Sequence, residues 1–115
     1  MSLAVRTAIA TSASGVEGIE CSPYFVQTTA AGMAMVRLDR IEYPNPFGGV
    51  CHWNVVVLLP QDQAEAEKYL EEKVPLIRAA IEEHLVITQV QPQRLEITGV
   101  GILPCVFING HREQE

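Results

Sequence analysis

The 115-residue chain carries 14 acidic against 8 basic side chains, a formal charge of −6, with 48% hydrophobic and 19% charged residues. This is the composition of one globular domain spanning 1–115, too apolar for a disordered chain and too short for two independent cores. The acidic balance argues against a nucleic-acid reader, which needs a Lys/Arg stripe to displace phosphate counterions.

Residues 2–14 read as a short helix. Small apolar side chains surround it almost completely, Arg6 is its only charge, and Gly15 follows as a left-handed stop. Arg6 also breaks the apolar stretch that a signal peptide would need, and no segment approaches the ~20 apolar residues of a membrane span. Ile19–Cys21 reads as a brief strand and Ser22–Gly32 as irregular. Ala34, Val36 and Leu38 then alternate with polar partners, the alternation slips at Arg40, and Ile41 and Tyr43 resume it; a bulged strand is expected. Tyr43-Pro-Asn-Pro-Phe-Gly-Gly49 is expected to be a loop.

Val50–Leu59 reads as a central strand, because its run from Val55 to Leu59 is apolar on both faces. Pro60 ends it. Gln61–His84 reads as the main helix, with Asp62 and Glu65 at capping-box spacing and Ala66, Leu70, Val74, Ile77, Ile81 and Leu85 forming one stripe. Pro75 lies inside it and predicts a kink with continued helical direction. Strand patterns follow at Val86–Val90 and at Leu95 and Ile97, then a turn at Gly99–Gly101 and a last strand over Ile102–Ile108. Pro104 predicts that this last strand is an edge or is bulged. The polar end, Gly110–Glu115, reads as mobile. The expected architecture is α+β: a single sheet of four to five mixed strands against one long kinked helix, with a short N-terminal helix. The N-terminal helix or a neighbouring subunit is expected to cover the second face of the sheet.

No catalytic, cofactor-binding or metal-binding residue is assigned. Cys51-His52 is the one adjacent pair with catalytic potential, but neighbours on a strand point to opposite faces. Cys21, Cys51 and Cys105 are odd in number and widely spaced, which suits reduced thiols in a cytoplasm. No C-x-x-C or H-x-x-x-H spacing occurs. The glycine pairs lack a phosphate-loop pattern, so turn geometry explains them. Residues 62–83 carry seven acids against three bases. A solvated helix face is the plain reading, an acidic channel lining the sharper one.

From residue 41 onward the chain resembles the tail-terminator proteins of phages with long, non-contractile tails, especially those of actinobacterial hosts. The resemblance lies in Tyr43-Pro-Asn-Pro-Phe-Gly-Gly49 leading into VCHWNVVVLLP, then in QDQAEAEKYLEEKVPLIRAAIEEHL, and in the Val-Gln-Pro-Gln and Leu-Pro-Cys-Val-Phe-Ile-Asn-Gly strands. It implies a virion neck protein, assembled in the host cytoplasm, that forms a ring of typically six subunits on the head-proximal end of the tail tube. Its partners would be the tail-tube protein and the head-tail connector, with DNA passing through the lumen unread. No cofactor, membrane contact or catalytic residue is implied. The candidate interface residues are Tyr43, Asn45, Pro46, Phe47 and Gly48 of the loop, with Arg112 and Glu113 of the tail. Other readings are a head-tail stopper, a ferredoxin-like small-molecule-binding regulatory module, and a cysteine-dependent enzyme built on Cys51.

Overall fold

The computed structural model describes residues 2–26, 30–46, 48–99 and 101–113. Helix α1 (Ser2–Ser14) leads into the three-residue strand β1 (Glu20–Ser22), then β2 (Met33–Asn45), β3 (Gly48–Leu58), helix α2 (Gln63–Ile81), β4 (Val86–Ile97) and β5 (Gly101–Glu113). The five strands form one mixed sheet in the order β1-β2-β3-β5-β4. Only β1 and β2 run parallel; the remaining pairs are antiparallel. The α+β expectation therefore holds, with five strands.

The doubly apolar run on β3 lies mid-sheet: Val55 to Leu58 are all at most 2% exposed. Side chains from one face of β3 (Cys51, Trp53, Val55, Val57) join Ile9, Ala10 and Ala13 of α1 and Val74, Ile77 and Ile81 of α2 in one core. Both helices thus cover the same face, and α1 does not cover the other one. The opposite face buries Met35, Val56, Leu58, Leu103, Cys105 and Phe107, with Met33 and Leu95 packed alongside, all of them from strands. A flat sheet would hold β2 and β4 about 14 Å apart. Leu95 nevertheless packs against this cluster and lines one cavity with Met35, Val36 and Val56, so side chains of the strands themselves close much of this face.

Asp62 caps α2 by accepting a hydrogen bond from the Glu65 amide at 3.0 Å, as the spacing suggests. Replacing Asp62 by Ala should lower stability by about 1 kcal/mol, read as an unchanged denaturant slope with a lower midpoint. Pro75 lies inside α2, with helix continuing on both sides. The slip at Arg40 is real, because Leu38 faces Trp53 and Arg40 faces His52, leaving Asp39 as the extra residue.

Four expectations need correction. Gly15 does not take up a left-handed conformation; the positive φ falls at Gly18. Residues 43–49 are not an open loop, since β2 runs to Asn45 and pairs with Gly48 in a tight hairpin. Arg112 and Glu113 belong to β5 and pair with Cys51 and Val50. Finally β5 is central despite Pro104. Pairing with β3 ends at Leu58↔Cys105, so the absent Pro104 N–H falls just past the ladder, while its carbonyl still accepts from Leu59 N at 3.0 Å.

Candidate functional site

Cys51 and His52 separate as strand alternation requires. Cys51 is 6% exposed within the core under the helices, whereas His52 lies on the other face, its Nε2 2.6 Å from Glu42 Oε1. The pair therefore has no geometry for thiolate activation. Cys21 and Cys105 are also buried. Burial pushes the Cys21 thiol from the ordinary 9.0 up to about 12 and Cys105 up to about 11.

These raised values favour the protonated thiols in the folded state. Their contribution is complete below pH 9 and is lost as pH rises through 11 and 12. The urea midpoint should consequently fall between pH 9 and pH 12, and thiol reagents at pH 8 should label the protein only after denaturation. Rapid labelling of native protein would contradict this burial.

Among the described residues, no group of three or more His, Cys, Asp or Glu is arranged to hold a metal ion. None of the described helices is long and apolar enough to cross a membrane. The acids of α2 mostly lie on an exposed face, with Lys68 3.6 Å from Glu65 and Arg78 3.8 Å from Glu82. Exposed pairs of this kind contribute little.

The candidate interface residues converge instead. β3 carries the hairpin segment and pairs with the end of β5, so Tyr43, Asn45, Pro46 and Gly48 lie at the same end of the sheet as Arg112 and Glu113. Phe47 and residues 114–115 lie outside the described residues. Tyr43 is 66% exposed and Pro46 is exposed. Beside them a hollow of about 430 Å³ is lined by Glu42, Tyr43, Pro44, Val50, His52 and His111. The rings of His52 and His111 stand 5.8 Å apart across β3 and β5. Arg40 reaches both Glu42 (3.3 Å) and Asp39 (2.8 Å), and Arg37 reaches Asp39 at 3.2 Å, so this rim is a chain of ion pairs. Arg112 is less free than a tail residue would be, because its guanidinium donates to His84 O.

Other features escaped sequence reasoning. Beyond Ser22, where β1 ends, Arg6 donates to both Pro23 O and Val36 O at 2.9 Å, taking over the edge of β2 that β1 leaves bare. Its guanidinium also lies 4.5 Å from the Tyr24 ring and 5.2 Å from the Trp53 ring. The one charge in an apolar helix was the available signal. Nothing local indicated its target thirty residues away. Next to it, exposed Tyr24 and Phe25 rim a cavity of about 390 Å³ floored by Met35, Val56 and Leu95. On the second face Asn54 donates to Asn109, which donates to Gln89, a ladder across three strands.

No protein-family model matches this chain, and no curated protein matches its sequence.

Proposed function

We propose that the protein is a structural subunit of a phage neck, forming a ring that caps the head-proximal end of the tail tube, ends its growth and joins tail to head connector. The observation that carries the reading is the gathering of the Tyr43–Gly48 hairpin and Arg112–Glu113 at one end of the sheet, with Tyr43 and Val86 both at least 60% exposed there. Large exposed apolar side chains on both flanking strands at one end of a sheet suit a surface completed by another protein. The resemblance beginning at residue 41 supplies the kind of assembly. Capping works by substitution of faces: tube subunits add while a matching face is presented, and the ring presents a different one.

The test is electron microscopy of tube protein polymerised with and without this chain. Tubes of limited length ending in a ring are expected. Tubes of unchanged length with bare ends would overturn the proposal. A second reading, a small-molecule-binding module, is favoured only by the apolar cavity beneath Tyr24 and Phe25. A ligand screen shifting the melting temperature by several degrees would favour it instead.

A further inference from the structure

Among the described residues the sheet has two bare edges, and they match. One is β2 beyond β1, whose pairing stops at Met35; the other is the outer side of β4. Which backbone groups face outward follows from two bonds. Val36 O accepts from Arg6 and so points off the sheet, as do the groups of Leu38 and, across the Asp39 bulge, of Ile41. Pro104 O bonds to β3, so even-numbered residues of β5 face β3, and their partners on β4, Val90, Pro92 and Arg94, face outward. Across the bulge at Thr88, Ile87 faces outward too.

We infer that β4 of one copy adds to the bare edge of β2 in the next, Ile87–Gln91 against Arg37–Ile41, so that the sheet continues from subunit to subunit. This rests on the ring proposed above and names the surface that builds it. Because β2 pairs antiparallel with β3, β3 with β5 and β5 with β4, β2 and β4 run in opposite directions. A second copy set edge to edge in the same orientation therefore makes an antiparallel pair. The two bulges coincide: two residues separate Leu38 from Ile41 and Ile87 from Val90, so Leu38 meets Val90 where Ile41 meets Ile87.

Pro92, with no N–H to give, then reaches Val36, whose carbonyl Arg6 already holds. The pairing also brings an adjoining strand alongside Val90, now 37% exposed. A two-fold pairing of β4 with β4 fits worse, because Pro92 lies near the middle of that strand and would interrupt the new ladder. The contact is head-to-tail, which is the kind a ring requires.

The test uses Val90→Pro and Ile41→Pro, each of which removes one outward N–H without removing a donor from the sheet. Far-UV circular dichroism should confirm that both fold. Wild-type chain should sediment as an oligomer and each variant alone as a monomer. A one-to-one mixture should give heterodimers, since each variant retains one intact edge. A Leu38→Cys/Val90→Cys chain should form intermolecular disulfides on oxidation. Should a proline variant fail to fold, this cross-link decides the matter alone. Oligomers unaffected by both prolines, or dimers of a single variant, would overturn the strand pairing while leaving the ring intact. A wild-type chain that stays monomeric and leaves tubes uncapped removes the ring itself.

Discussion

Replacing Trp53 by alanine should lower stability by about 3–5 kcal/mol, among the largest losses any single truncation in this protein can give. Trp53 is 1% exposed, on the face of β3 that meets both helices. Truncation would remove the indole on which the core converges, together with the surface facing the Arg6 guanidinium. Domains of this size are stable by roughly 5–15 kcal/mol, so the loss is a large share of the total. A fall in melting temperature of about 10–20 °C is expected in a thermal scan. Phenylalanine at this position should recover much of the loss. It keeps most of the apolar surface and removes an indole N–H that finds no partner among the described residues. A drop of less than 1 kcal/mol for Trp53→Ala would show that the core can close over the gap.

The second large effect belongs to a glycine. Gly32 precedes β2 with φ near +89°, and a Cβ built there would press directly on Gly18 O and lie 3.0 Å from the Tyr69 hydroxyl. Side chains are strained at that φ, and the closer contact is with backbone, which cannot swing aside. Gly32→Ala should therefore destabilise by on the order of 3 kcal/mol. Gly48→Ala, where a Cβ meets nothing within 4 Å, should stay within about 0.5 kcal/mol of wild type. Chemical denaturation of the two variants side by side gives the comparison, and equal midpoints would contradict the close approach of Gly18 to Gly32.

What could be read in one dimension was whatever is written locally. Asp62 three residues before Glu65 announces a cap. Val55–Leu59 announces a strand covered twice, and the slip at Arg40 announces a bulge. Pro104 misled, because a proline excludes a strand interior only where its nitrogen faces a partner, and that depends on where β3 ends. The shared face of α1 and α2 was hidden for the same reason. A weakly amphipathic helix of small residues such as α1 carries no strong stripe to say which side of a sheet it will choose. Of the candidate interface, a break near residues 43–49 was legible from its prolines and glycines, but not that β2 and β3 pair almost to its tip. Its proximity to Arg112 and Glu113 was not, because it depends on pairing between residues about sixty positions apart.

The strand order carries a consequence for how the chain is made. β5 follows the other four strands in sequence yet lies between β3 and β4, holding both. Until it emerges from the ribosome, β4 has no sheet partner within its own chain, and the apolar face of α2 covers an incomplete sheet. A nascent chain stopped before residue 101 would hold the β1–β2–β3 ribbon at one end and an unpaired strand at the other. Both are templates for wrong pairing. β5 is therefore made after the strands it joins, and until then β4 stays open to a strand from a neighbouring nascent chain.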